Sequence, residues 1–96
     1  MGRERKKALR KQFLAGARAD AEARLPVAKP VLAALFHQVD SRLEDDPCDH
    51  TLRHTEAFIQ EWGLDAEPIR EWLERSGGYC DCEVMVNVAS EWEGRL

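Results

Sequence analysis

The chain has 96 residues, which is enough for one domain with a small hydrophobic core. With 44% hydrophobic and 33% charged residues, its composition is that of a folded protein and excludes disorder throughout. No apolar run approaches the ~18 residues that span a bilayer, and no apolar segment follows the charged N-terminus. We therefore expect a cytoplasmic protein that does not associate with membranes.

Charge is distributed unevenly along the chain. Residues 1–25 contain eight Lys or Arg and three acidic residues, whereas the remainder contains six basic and fifteen acidic residues. The predicted organisation is a basic helical arm, residues 1–25, and a compact helical domain, residues 26–96. Such an arm can attract nucleic acid, but charge runs are more often solvated or docked on an acidic surface of the same chain.

The first two predicted helices lie on either side of a proline-containing linker. Residues 3–24 favour a helix by propensity, although their apolar stripe is weak. A second helix begins near Pro30 and is ended by the run Asp45-Asp46-Pro47, because the residue before a proline avoids the helical region. Its apolar residues have the spacing of one buried helical face: Leu32, Leu35, Phe36, Val39 and Leu43.

A third helix is predicted from about Thr51 to Trp62, with Asp49 or Thr51 as its N-cap and Gly63 at its C-terminal end. A fourth helix follows Asp65 and stops at the pair Gly77-Gly78. The three tryptophans, Trp62, Trp72 and Trp92, are interpreted as core residues.

The C-terminal segment is ambiguous. Cys80, Cys82, Val84, Val86 and Val88 alternate with mostly polar residues, which is strand periodicity. A helical face through Met85, Val88, Ala89 and Trp92 fits the same residues. We favour a short extended segment after Cys80, so that the predicted fold is mainly α, a small bundle of about four helices with a short C-terminal β segment.

All three cysteines and two of the three histidines fall into two short segments of the chain. Cys48, His50 and His54 lie around the start of the third helix, and Cys80 and Cys82 follow the Gly-Gly turn. Cysteines in a cytosolic chain favour metal binding over disulfides, and thiolate and imidazole are the ligands that zinc prefers. If helices three and four are antiparallel neighbours, the two segments meet.

The predicted zinc ligands are Cys48, His50, Cys80 and Cys82, with His54 as the alternative fourth ligand. A helix beginning at Asp49 would place His50 and His54 on one face. Asp49 and Asp81 are predicted to hydrogen-bond the ring N–H of a ligand histidine that does not face the metal. The alternative interpretation is that the cysteines are small buried hydrophobic residues and the histidines are surface groups.

Several stretches of the chain resemble a known bacterial family: the run from Cys48 to Arg53, the pair Trp72-Leu73, the run from Gly77 to Val84, and the pair Asn87-Val88. The family is domain of unknown function 2695, and the similarity covers roughly residues 30–88. The string Gly-Gly-Tyr-Cys-Asp-Cys-Glu-Val is its most specific part. The resemblance implies a group of relatives but no activity.

Three functions from different classes remain open. The favoured one is a non-enzymatic zinc module that binds a partner, either a protein or, through the basic arm, a nucleic acid, because a closed four-ligand site leaves no position for catalysis. The second is a metal-dependent hydrolase with a metal-bound water, and the third is a thiol redox protein that uses Cys80 and Cys82.

Overall fold

The computed structural model describes residues 21–96. Of the predicted basic arm, residues 21–25 are therefore described, and residues 1–20 lie outside the described part of the chain. Helix α1 is Lys29–Asp45, α2 is Arg53–Glu61 and α3 is Ala66–Arg75. Helix α4 combines three consecutive helical stretches: Asp81–Glu83, Val84–Ala89 and Ser90–Trp92. Residues 21–96 contain no strand, which confirms a mainly α fold, and none of their helices is long and apolar enough to cross a membrane.

Helix α1 is the longest element and provides one wall of the core. Pro30 occupies its first turn, where the missing N–H is not needed. Four of its five predicted core residues are buried, and the fifth, Leu43, packs against the core at its edge. The helix ends at Asp45, within the run Asp45-Asp46-Pro47 that was predicted to end it.

Helices α2 and α3 are each followed, two residues after their last residue, by a glycine with a left-handed backbone. Gly63 has φ 62°, and the N–H of Leu64 donates to the carbonyl of Ile59 at 2.9 Å. Gly77 has φ 87°, and the N–H of Gly78 donates to the carbonyl of Leu73 at 2.7 Å. Each bond closes a Schellman-type cap, so the two helix ends predicted from these glycines are confirmed.

The predicted C-terminal β segment is wrong, because residues 81–92 are helical. Val84, Val88 and Trp92 lie at intervals of four and are buried against the other helices, with 0%, 0% and 5% of their surfaces exposed. A lone strand would have left its backbone N–H groups without partners, whereas a helix satisfies them internally. The centre of α4, Val84–Ala89, is π-helical.

The tryptophans differ in their surroundings. Trp92 is buried in the core, and Trp72 is half-buried against it at a ring-centroid distance of 6.2 Å. The prediction of a buried Trp62 is wrong, because half of its surface is exposed and its ring stacks on Phe58 at 4.7 Å. Residue 62 follows the last turn of α2, where the chain has left the core.

One hydrophobic core joins the four helices. Helix α1 packs against α2, and α4 packs against both. Ala21, Leu25 and Val27 pack on the same core from the N-terminal side, so part of the predicted arm contacts the domain. The fully or nearly fully buried core residues are Leu32, Leu35, Phe36, Val39, Phe58, Ile59, Ile69, Leu73, Val84, Val88 and Trp92.

Gly78 allows the turn after α3 to lie close against α4. A Cβ at this position would lie 3.0 Å from Cγ2 of Val88 and 3.1 Å from Cγ2 of Val84. Gly78→Ala should therefore lower the free energy of unfolding by about 1–3 kcal/mol, measured by urea denaturation, because the two valines must move apart. In a Val88→Ala background the same substitution should cost less; an equal cost in both backgrounds would contradict the crowding.

Candidate metal centre

Two segments that are distant in sequence meet beside the first turn of α2. The first is the loop 46–52 between α1 and α2, which contains Cys48 and His50. The second is the turn 76–80, which leads into α4 and contains Cys80. The backbone N–H of Asp81 donates to the carbonyl of Thr51 at 3.0 Å and joins the two segments directly.

The carboxylate of Asp81 caps α2 from outside that helix. Its Oδ2 accepts from the N–H of His54 at 2.9 Å, and its Oδ1 accepts from the N–H and the hydroxyl of Thr55 at 3.1 and 2.8 Å. The side chain is completely buried. A carboxylate at this position satisfies N–H groups that no residue within the helix can satisfy, and it complements the positive end of the helix dipole.

The N-cap predicted from the sequence is therefore wrong. Leu52 stands at the cap position and makes no side-chain cap hydrogen bond. Asp49 instead accepts hydrogen bonds from the backbone N–H and the hydroxyl of Thr51, in a local turn on the surface. Arg53 braces this loop, because its guanidinium donates to the carbonyl of Pro47 at 2.7 Å.

The burial of Asp81 determines where the neighbouring cysteines lie. Cys80 is buried just before α4 begins, and Cys82 is exposed on the first turn of that helix. Both thiols lie near enough to the sulfur of Cys48, which is half-buried in the opposite loop, to alter its pKa. The structure thus places the three cysteines of the chain near one another in one partly exposed region.

The three thiols differ in acidity. Burial acts to raise the pKa of Cys48, but the backbone N–H groups of Cys82 and His50 and the thiols of Cys82 and Cys80 hydrogen-bond to its sulfur and lower that pKa overall. The facing Cys48 sulfur raises the pKa of Cys82. For Cys80, the N–H of Glu83 acts to lower the pKa, but burial and the Cys48 sulfur outweigh it and raise the pKa. Cys48 is therefore the favoured thiolate of the three.

The two candidate histidines lie in different environments. His50 is exposed, has a left-handed backbone with φ 68°, and donates its backbone N–H to the Cys48 sulfur at 3.4 Å. His54 is buried, and its Nε2 is 2.9 Å from the carbonyl oxygen of Asp46. The prediction that they share one helical face is wrong, because α2 begins at Arg53 and His50 belongs to the preceding loop.

The predicted roles of the two aspartates also differ from what is found. Asp81 contacts the backbone of His54 rather than its ring, and Asp49 pairs with Thr51 and lies 3.7 Å from Arg53. Within residues 21–96, no three Cys, His, Asp or Glu side chains are arranged as a metal-holding set. The arrangement consists of three adjacent thiols, with an exposed histidine two residues from Cys48.

Sequence reasoning did not identify Thr55 as part of this region. It is completely buried and donates both its N–H and its hydroxyl to Asp81. The sequence signal that could have indicated this contact is the position of Asp81, an acidic residue between two cysteines that follows a glycine-rich turn. A carboxylate in that position needs donors, and the first turn of a helix without its own cap provides them.

Comparison with known proteins identifies relatives of this chain. Residues 35–87 match the family described as "Protein of unknown function (DUF2695)". Uncharacterised proteins of Mycobacterium bovis and of Mycobacterium tuberculosis (strains CDC 1551 and H37Rv) are each 40% identical to it over 87 residues, covering 85% of this chain and 88% of the relative. No solved structure matches the chain. The matched region contains Cys48, His50, Cys80 and Cys82, and the chain belongs to the DUF2695 family.

Proposed function

We propose that this protein is a small zinc-binding module without enzymatic activity, and that the metal supports a surface for interaction or regulation. Its ligands would be the thiolates of Cys48, Cys80 and Cys82, with the imidazole of His50 in the fourth position. The observation that carries the proposal is that the three cysteines of the chain lie near one another in one partly exposed region. Three soft thiolates and one imidazole are a donor set typical of structural zinc.

The hydrogen bonds around the cysteines support this interpretation. The backbone N–H of His50 donates to the Cys48 sulfur at 3.4 Å, and the backbone N–H of Cys82 acts to lower the pKa of the same thiol, as donors that stabilise a metal-bound thiolate do. The hydrogen bonds from the first turn of α2 to the Asp81 carboxylate hold the loop 46–52 beside the turn 76–80. Ligands from both segments are therefore available to one ion. Cys82 and His50 are exposed, which leaves a path by which a metal can enter.

His50 is a better fourth ligand than His54 for a structural reason. The ring of His54 is buried and bonded to the carbonyl of Asp46, where it fastens the end of α1 to the start of α2. The ring of His50 is exposed and only two residues from Cys48. A closed set of this kind disfavours hydrolysis, because three thiolates offset the charge of zinc and no coordination position remains for water.

A thiol redox function has one observation in its favour. Cys48, whose pKa is lowered, lies near Cys80 and Cys82, whose pKa values are raised, so the more acidic thiol faces two less acidic ones. Oxidation of Cys48 together with either partner by an external two-electron oxidant, such as a peroxide or another disulfide, would form a disulfide and pass two electrons and the two thiol protons to that oxidant. Purified protein that contains such a disulfide and takes up no zinc after reduction would favour this function over the zinc module.

The test is the metal content of the full chain purified without chelator, for which we expect about one zinc per chain. His50→Ala should lose or weaken zinc binding while leaving the stability of the metal-free protein unchanged. His54→Ala should destabilise the protein equally with and without metal, because it breaks a buried hydrogen bond. Absence of zinc in protein produced with zinc in the medium would overturn the proposal, and loss of zinc only in His54→Ala would assign the fourth position to His54.

A further inference from the structure

A second polar region lies away from the cysteines, in a cleft of about 460 Å³. It is bounded by the chain at residues 21–24, by the end of α3 and by the C-terminal end of α4. Three arginines line it: Arg24, Arg75 and Arg95. Its volume is within the range of small-molecule sites, and it shares no residue with the thiol cluster.

Arg95 is held in an unusual way. Its guanidinium carbon lies 4.1 Å from the centroid of the Trp92 ring, so the plane of the tryptophan fixes the cation at the cleft wall. Its Nη2 is buried and has no hydrogen-bond partner within residues 21–96. No other buried side-chain nitrogen or oxygen of residues 21–96 lacks a hydrogen-bond partner. Buried N–H groups normally have one. Arg95 lines the cleft, so an acceptor bound there would supply the missing partner once the guanidinium turns Nη2 towards it.

The balance of charge in the cleft favours an anion. Against the three arginines, the lining contains one carboxylate, that of Glu91, and a hydroxyl, that of Ser76. Glu22 also lies close enough to Arg95 to feel its charge, but it forms an ion pair with Lys29 at 2.9 Å. No described carboxylate hydrogen-bonds or ion-pairs with Arg24, Arg75 or Arg95.

We propose that this cleft binds a phosphate group, either free or as the monoester of a small molecule, through Arg24, Arg75 and Arg95. A single guanidinium fork satisfies the two oxygens of a carboxylate, whereas three guanidinium groups from separate segments match the several oxygens and the double charge of phosphate. The hydroxyl of Ser76 adds a further donor, and the half-buried Trp72 provides an apolar wall beside the anion.

The experiment is a titration of the full-length protein, followed by tryptophan fluorescence and calorimetry, at constant ionic strength. The probes are inorganic phosphate and adenosine 5′-monophosphate, with sodium acetate as the carboxylate comparison. We expect saturable binding of one phosphate probe per chain and weaker binding of acetate. Tighter binding of the monophosphate would assign the site to a phosphate monoester, and equal or tighter binding of inorganic phosphate would assign it to the free anion.

Variants separate a built site from general attraction by positive charge. Arg95→Gln and Arg75→Gln should each weaken phosphate binding about tenfold or more, because each removes a charged hydrogen bond to the anion. Arg70→Gln is the matched control: it lies on the same helix as Arg75 but pairs with Glu56 outside the cleft, and it should bind as the wild type does. Arg95→Lys, which keeps the charge and lacks the fork, should weaken binding as well. Failure of the wild type to bind either phosphate probe, or equal weakening by Arg70→Gln, would overturn the proposal.

Discussion

Asp81→Ala is expected to lower the free energy of unfolding by about 3–5 kcal/mol, which is more than any other single substitution around the N-terminal cap of α2. The substitution removes the acceptor of three hydrogen bonds and leaves the N–H groups of His54 and Thr55 and the hydroxyl of Thr55 buried without partners. The measurement is urea denaturation in excess EDTA, so that the loss reports hydrogen bonds rather than metal.

Asp49→Ala is the matched control for this experiment. Its carboxylate also accepts a backbone N–H and a threonine hydroxyl, both from Thr51, but it does so on the surface, where water replaces the lost bonds. We expect a cost below about 1 kcal/mol. Similar stabilities for Asp81→Ala and Asp49→Ala would show that the buried cap does not stabilise the fold as described.

The second large effect is expected from Cys82→Ser and depends on zinc. If the chain holds zinc as proposed, the loss of one thiolate should weaken metal binding by at least a hundredfold and lower the melting temperature of the zinc-loaded protein by about 10 °C or more. In EDTA the variant should melt like the wild type, because Cys82 is exposed and contributes little to the core. The measurement is thermal unfolding of both proteins in each condition.

Val86→Ser provides the comparison on the same helix. Val86 is 71% exposed and is not among the cysteines, so its substitution should have the same small effect with and without zinc. A Cys82→Ser protein whose melting temperature is equally insensitive to zinc would remove Cys82 from the proposed ligand set. Cys80→Ser is less informative, because Cys80 is buried and its replacement also alters packing.

The helices were predictable from the sequence wherever a local signal existed. Pro47 and Gly63 mark helix ends through backbone geometry, and the apolar spacing from Leu32 to Val39 marks the buried face of α1. These signals act within a few residues, so no knowledge of the tertiary structure is needed to interpret them. The ends of α1, α2 and α3 were therefore predicted to within a residue or two.

The features that were predicted wrongly depend on contacts between distant residues. The cap of α2 comes from Asp81, which is 27 residues from His54, and no pattern near Thr51 indicates it. The valines of α4 fit both a strand and a helix, and only the core, which receives Val84, Val88 and Trp92, distinguishes the two. The approach of Cys48 to Cys80 and Cys82 was expected from an antiparallel pairing of the third and fourth helices, and the position of His50 depended on where α2 begins.

The cap supplied by Asp81 has a consequence for the order in which the chain acquires its structure. Two N–H groups in the first turn of α2 have their acceptor 26 and 27 residues further along the chain. During synthesis, α2 and α3 are complete before that acceptor exists, and a nine-residue helix such as α2 is marginal in water by itself. The start of α2 therefore becomes fixed only after residue 81 has left the ribosome and the intervening loop has closed, which makes this end of the domain late to fold.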